Sequence, residues 1–427
     1  HNGVDQNYHS NCDTMSSGSY ISETYMIKNI KEQFPILNKK LPSGNELVYL
    51  DSANSTQKPQ RVIDRLTKFY SEEYSSIGRS VHELSNNATM LVEKSREAMQ
   101  EFINARDSDE IVFTKSATES INMIATAYGR TMSEGDEIIT TELEHHSNYV
   151  PWHLQRKHNG FKIKFISVND EHRLNLHELE SLITPKTKII AITHLSNVSG
   201  EVVDVKKICE IAHKHNIAVL VDGTQAAPHL KVDVQDMDCD FYVMSGHKMY
   251  GPSGIGILYA KQEWIEKLDP ALGGGGMITK VEHDNIEFID GSKKWEAGTL
   301  AVAEIVGLHE ALKFYINTGV DEMIKHEHEI INYAYDKLSK LPGIKFIGTA
   351  DRSAVVSFNL DGIHHQDLAM FLDSYGIAIR PGHHCTQMLH RQIGWSGSCR
   401  ISTGIYNTKE EIDYLIECLV KIQQKFS

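Results

Sequence analysis

Cysteine is scarce in this chain: six in 427 residues (Cys12, Cys209, Cys239, Cys385, Cys399 and Cys418), with no pair in a CxxC spacing. That argues against a disulfide framework or a zinc ribbon, and any cysteine with a chemical task is expected to be a free thiol. Long apolar runs are missing too. None approaches the roughly 18 residues that a membrane-spanning helix needs, so no membrane partner is expected. Basic residues form no block, and 43 Lys+Arg against 57 Asp+Glu leave a formal net charge of −14. This acidic balance argues against nucleic acid or an anionic membrane surface as the main partner. No metal site is expected either, because His383, His384 and Cys385 are consecutive and do not readily converge on one ion. There is no internal repeat.

What remains is the composition of an ordinary soluble globular protein, 41% apolar and 23% charged, long enough for two or three domain-sized units. Position 1 is His, and residues 1–24 are polar, Ser- and Asn-rich and aperiodic, which reads as a disordered leader or remnant outside the fold. Residues 25–50 form an N-terminal segment expected to pack with the small domain. They include a helix over Met26–Phe34 closed by Pro35 and a short strand from Val48. Residues 51–318 form a large α/β domain. Helices are predicted over 59–74, 87–104, 119–130, 149–158 and 205–215. Strands are predicted over 111–114, 137–141, 162–168, 188–193, 218–222, 241–244 and 256–259. Such alternation implies a mostly parallel sheet covered on both faces. Residues 319–427 read as a smaller α+β domain. Its helices are expected at 321–341, 365–375 and 409–424, its strands at 344–347, 354–360 and 377–380, and another strand starting at Cys399.

The strand ends of the large domain carry the chemistry. In an open α/β sheet, ligands bind beyond the carboxyl ends of the strands. Phe241–Met244 runs into Ser245-Gly-His247-Lys248, which places a lysine there; alone, it reads as a surface lysine after a core strand. Thr118 sits at a helix start suited to an anion such as phosphate, or simply caps that helix. His145 and His146 are adjacent, a poor chelate, but one imidazole is easily stacked on a planar ligand. Asn197 offers an amide at the sheet mouth. Asp222 directly follows three apolar residues, where burial is costly unless a cation pairs with it. A protonated pyridine nitrogen would satisfy Asp222, a cofactor aldehyde would satisfy Lys248, and Thr118, Ser245 and His247 could hold a phosphate. Pyridoxal phosphate carries all three groups. A dinucleotide reading fails on position, since neither Gly273–Gly276 nor Gly254-Ile-Gly256 opens a helix after the first strand.

Ser245-Gly-His-Lys248-Met-Tyr-Gly-Pro252 together with Asp222-Gly-Thr-Gln225 resembles the fold-type-I pyridoxal-phosphate enzymes of the cysteine desulfurase family, over about residues 26–427. Arg380-Pro-Gly-His-His-Cys385 resembles the signature of the group II, SUF-system branch. Tyr49–Ser52, Gln57–Pro59, Glu144–His146, Gly273–Ile278 and Glu296–Thr299 are similar to that branch as well. The resemblance implies a large domain with a mostly parallel seven-stranded sheet flanked by helices, and a smaller α+β C-terminal domain. It implies that Lys248 forms the Schiff base and then moves protons at the substrate carbon. Asp222 keeps the ring nitrogen protonated, Gln225 and Asn197 hydrogen-bond the phenolic oxygen, and His145 stacks on the ring. The Ala117 backbone, Thr118, Ser245 and His247 grip the phosphate, and Thr299 reaches the phosphate of a neighbouring subunit, so a homodimer follows. Arg400, with Asn197 nearby, clamps the substrate carboxylate. Cys385 is the nucleophile that takes the sulfur of L-cysteine, leaving alanine and an enzyme persulfide.

From the residues alone, Cys385 lies in a polar, His-rich loop, whereas Cys209, Cys239, Cys399 and Cys418 fall in or beside helices and strands and read as structural. His364-His365 reads as a surface helix start. The chain departs from the family pattern at Gly78-Arg79-Ser80, at Asn54 and at Leu300-Ala301, and none of these removes a catalytic group. The implied acceptor is a SufE-like protein serving iron–sulfur cluster assembly, in a plastid-type organelle or alternatively the cytoplasm. A selenocysteine lyase or kynureninase-like enzyme of the same fold is the nearest alternative. A sulfur-transfer scaffold with little turnover is an alternative of another class.

Overall fold

A computed structural model describes residues 29–426. Its first strand, β1 (Val48–Tyr49), pairs not with the large sheet but in parallel with β13 (Ile377–Ala378). The large sheet has seven strands: β2 (Ile111–Thr114), β3 (Glu137–Thr141), β4 (Lys162–Ile166), β5 (Thr187–Thr193), β6 (Ala218–Asp222), β7 (Phe241–Ser245) and β8 (Gly256–Ala260). Their order is β2-β8-β7-β6-β5-β3-β4. All neighbours are parallel except β8, which runs antiparallel to both β2 and β7. This is the mostly parallel seven-stranded sheet the sequence predicts. Strands β2, β3 and β6 to β8 are buried throughout, and β5 at every position but the half-buried Lys188, as strands covered on both faces must be. Two apolar layers cover the faces. One includes Ile190, Val219, Tyr242 and Ile257, and the other Ile189, Leu220, Phe241 and Leu258. Successive strand residues alternate between them.

An exposed hairpin follows, β9 (Ile278–Val281) and β10 (Ile286–Phe288). The small domain is an antiparallel sheet of β11 (Ile344–Ile347), β12 (Val355–Leu360), β15 (Ser398–Ser402) and β14 (Arg380–Gly382), in that order. It packs in a third apolar core with Ile330, Leu368 and Leu415.

Four expectations need correction. Only Ile30–Gln33 and Pro35–Asn38 are helical in the N-terminal segment, both as short 3-10 turns. The expected helix at 26–34 therefore does not continue, and its first three residues lie outside the described residues, as do the leader and Cys12. The strand expected at 377–380 breaks at Ile379, with Ile377–Ala378 pairing with β1 and Arg380–Gly382 with β15. His365 is buried, with its backbone carbonyl accepting from Cys399 Sγ at 3.1 Å, so only His364 of that pair is on the surface. The helix Val302–Thr318 is absent from the sequence-derived pattern. It is buried on nearly every side and so lacks the one-sided apolar stripe by which a helix is usually read.

Candidate active site

The carboxyl ends of β2, β3, β5, β6 and β7 open on a cavity of about 230 Å³. Ala117 and Thr118 reach it from the helix after β2, His145 from the turn after β3, and Asn197 from beyond β5. Asp222 and Gln225 come from the end of β6, and Ser245, His247 and Lys248 from the end of β7. Cys385 closes the opposite wall from the small domain, together with Arg380. Ten of the twelve sequence-derived site residues therefore share one cavity. Thr299 does not: it is exposed and lines a separate cavity with Lys115 and Glu119. Arg400 is buried behind Asn197, whose carbonyl accepts from Arg400 Nη1 at 3.1 Å.

Thr118 is free to bind a ligand because it is not the helix cap. Ser116 is, accepting from Glu119 N at 3.0 Å, while Thr118 Oγ1 lies 2.8 Å from Ser147 Oγ. Asp222 is 6% exposed, and both bonds from Thr224, from its N–H and its hydroxyl, land on Oδ1, which leaves Oδ2 to the cavity. Burial raises its pKa, so a cation against Oδ2 would restore the carboxylate. Lys248 is shifted the other way, down to about 8. Desolvation comes first among the causes, then the positive charge of Arg400. An amine so placed is a competent nucleophile near neutral pH. Burial likewise lowers His145 to about 3, with Lys248 adding to the effect. Its Nδ1 accepts from Ser147 N at 3.1 Å, so the neutral ring carries its proton on Nε2.

Several polar groups stand ready for a partner. Arg400 Nε and Nη2 and Gln225 Oε1 are buried without hydrogen bonds. Arg400 Nη2 is 3.6 Å from Asp51 Oδ1, too far for a hydrogen bond. Two guanidinium N–H groups left over beside a cavity suit a carboxylate held by both. The Gln225 amide donates to the Ala53 carbonyl at 2.6 Å, and one N–H remains for a ligand oxygen. Cys385 is half-buried, with its Sγ 3.6 Å from Arg380 Nη2. The other described cysteines are buried, and desolvation raises Cys209, Cys239, Cys399 and Cys418, as expected of inert structural thiols.

An amine to take an aldehyde, a buried carboxylate facing the cavity, a set of hydroxyls at a helix start and a neutral imidazole fit pyridoxal phosphate. The aminotransferase class-V profile matches residues 48–415, which includes every one of these groups. The chain belongs to that family. Its similarity extends along the whole fold. It is 44% identical over 398 residues to a probable cysteine desulfurase of Halalkalibacterium halodurans, covering 93% of this chain and 98% of that one. It is 41% identical over 403 residues to the cysteine desulfurase of Pectobacterium atrosepticum, covering 94% and 99%. Among solved structures, the Escherichia coli cysteine desulfurase CsdA in its S-sulfonic acid form superposes with a TM-score of 0.87 at 36% identity, over 94% of this chain and 99% of that one. The apo cysteine desulfurase of Thermococcus onnurineus gives 0.86 at 33% identity, covering 91% and 98%.

Some cavity residues were not legible from motifs. Ser147 and Thr193 line this class-V site without belonging to any run that marks them. Thr224 was within reach of a motif reading, since it stands between Asp222 and Gln225. Asn54, a departure from the family pattern, faces the cavity and accepts from Arg380 Nη1 at 3.1 Å.

Proposed function

We infer that this protein is a pyridoxal-phosphate-dependent L-cysteine desulfurase, which converts L-cysteine to L-alanine and holds the sulfur as a persulfide on Cys385. The observation that carries this reading is a lysine and a free thiol from two domains on the walls of one cavity, with Arg380 against the thiol. The cofactor, when bound, supplies an aldehyde for amines and an electron-withdrawing ring. Lys248 would hold that aldehyde, and Asp222 Oδ2 the ring nitrogen proton. His145 would lie against the ring, and Thr118, Ser245 and His247 would hold the phosphate. Arg400 orients the substrate carboxylate. Lys248, once released, moves protons at the substrate carbon. The Cys385 thiolate attacks the substrate sulfur, the carbon–sulfur bond breaks, and its electron pair stays with the carbon skeleton. That skeleton takes up a proton and leaves as alanine.

Two finer features belong to the same proposal. The protein works as a homodimer in which the exposed Thr299 serves the neighbouring subunit's phosphate; its position outside its own cavity supports this. The persulfide passes to a SufE-like acceptor in the SUF pathway, which the Arg380–Cys385 motif supports.

Two variants test the assignment. Lys248→Ala is expected to lose the visible absorbance of the bound cofactor, and Cys385→Ser to keep it while losing persulfide and alanine formation. Survival of the band in the first variant, or undiminished sulfide from the second, would overturn the roles. Faster alanine release from selenocysteine than from cysteine would reassign the substrate.

A further inference from the structure

The reaction asks two things of Cys385: to reach the substrate sulfur inside the cavity, and then to give the sulfur away. What holds its backbone decides the balance. His384 and Cys385 both adopt left-handed φ, 54° and 55°, an unfavourable conformation for residues with a Cβ. Two successive residues stay there only when their surroundings over-determine them.

The structure supplies that determination from the large domain, on both sides of the thiol. His146 N donates to the Cys385 carbonyl at 2.7 Å, and His146 Nε2 accepts from Gln387 N at 3.2 Å. Asn197 Nδ2 donates to the His384 carbonyl at 2.8 Å, and Asn197 Oδ1 accepts from the Thr386 hydroxyl at 2.9 Å. Residues 384 to 387 are thus each tied to a strand-end turn of the large sheet, one after β3 and one after β5. His146 is the member of the His145–His146 pair that does not line the cavity. The pair points two ways: one ring serves the cavity, the next the cysteine loop.

We propose that His146 and Thr386 are positioning residues that, with Asn197, clasp the cysteine loop in its inward conformation, favouring persulfide formation and slowing persulfide delivery. The inference rests on the desulfurase reading above. Delivery is an exchange at sulfur. An incoming thiolate attacks the outer persulfide sulfur, the S–S bond to Cys385 breaks, and Cys385 leaves as thiolate with no net oxidation. A loop held inward presents that sulfur poorly to an outside thiol. Loosening it therefore moves the two half-reactions in opposite directions, which a general loss of structure does not do.

The test uses the dimeric holoenzyme as purified, with His146→Ala, Thr386→Val and the double variant, against the conservative His146→Gln and Thr386→Ser, each able to remake the lost bond. The visible cofactor band and the KM for cysteine are expected to stay within about twofold, and single-turnover persulfide formation to fall about tenfold in the double variant, the scale of two ordinary hydrogen bonds. Reduction of preformed persulfide by dithiothreitol is expected to quicken severalfold, by roughly the same argument. In cofactor-free protein, amide hydrogen exchange in the peptide carrying Cys385 is expected to accelerate. The Gln and Ser variants should remain near wild type. If formation and reduction slow together, or neither moves, the clasp is overturned while the desulfurase reading stands. If wild-type Cys385 acquires no persulfide from cysteine, both fail.

Discussion

At Lys248 two influences compete. Asp222 favours the ammonium, but burial and the neighbouring Arg400 and Arg380 outweigh it and bring the group to about 8. The amine is the reactive form, and its fraction rises with pH through that value. In cofactor-free protein, the rate of cofactor reattachment is therefore expected to rise with a midpoint near 8 rather than near the ordinary 10.5, followed by visible absorbance. A midpoint at the ordinary value would mean that Lys248 is solvated and unperturbed. Arg400 offers the other clear prediction at this scale. Its unpartnered Nε and Nη2 suit a two-pronged grip on a carboxylate, which a single ammonium cannot reproduce. Arg400→Lys is expected to raise the KM for cysteine about ten- to hundredfold, with the cofactor band intact. Residue identities such as these were largely legible beforehand, because Lys248, Asp222 and Cys385 each sit in a local run that names them. Their titration was not, since it depends on which charges the fold brings near.

Elements are fastened around the site by buried contacts that no local run announces. Arg96, on helix Glu83–Phe102, makes paired bonds to Glu296 at 2.6 and 3.0 Å and a further one to the Ile111 carbonyl at 2.7 Å. Glu296 in turn accepts from Phe113 N at 2.8 Å, so the pair fixes edge strand β2 and the segment leading to Thr299. Arg96→Ala leaves Glu296 buried without its cation and is expected to cost about 3–5 kcal/mol in urea unfolding. Gly256, the first residue of β8, is a second fastening. A Cβ there would stand 2.4 Å from the Ser116 carbonyl carbon, in the turn that presents Ala117 and Thr118. Gly256→Ala is expected to cost about 1–3 kcal/mol and to weaken cofactor binding, measured by unfolding and by cofactor titration. Strand and helix positions were mostly legible because periodicity is local. The exceptions are helix Val302–Thr318, buried over most of its surface, and the short strands split between β1 and β15, whose partners lie far away in sequence.

For the whole molecule, the chemistry depends on joining two domains, and by our proposal two subunits. The large domain carries the groups proposed to hold the cofactor, and the small domain carries Cys385, Arg380 and Arg400. Sedimentation is expected to show a dimer. Thr299→Ala is expected to reduce cofactor affinity about tenfold without dissociating it, an effect that a residue lining only its own separate cavity would not produce. A monomeric species with full cofactor affinity would overturn the shared-site proposal.

The sequence by itself determined the class of the fold, through apolar strand runs at regular spacing, and it named the groups that we propose react, through motifs whose residue types suit one cofactor. Those are local properties of the chain. Only the tertiary structure decided that Ser116 rather than Thr118 caps its helix, that Thr299 stands apart from the cavity of Lys248 and Cys385, and that His146 faces the cysteine loop. Side-chain direction and hydrogen-bond partnership are set by packing between residues that can be hundreds of positions apart. For Lys248, the same packing turns an ordinary lysine into one that can react.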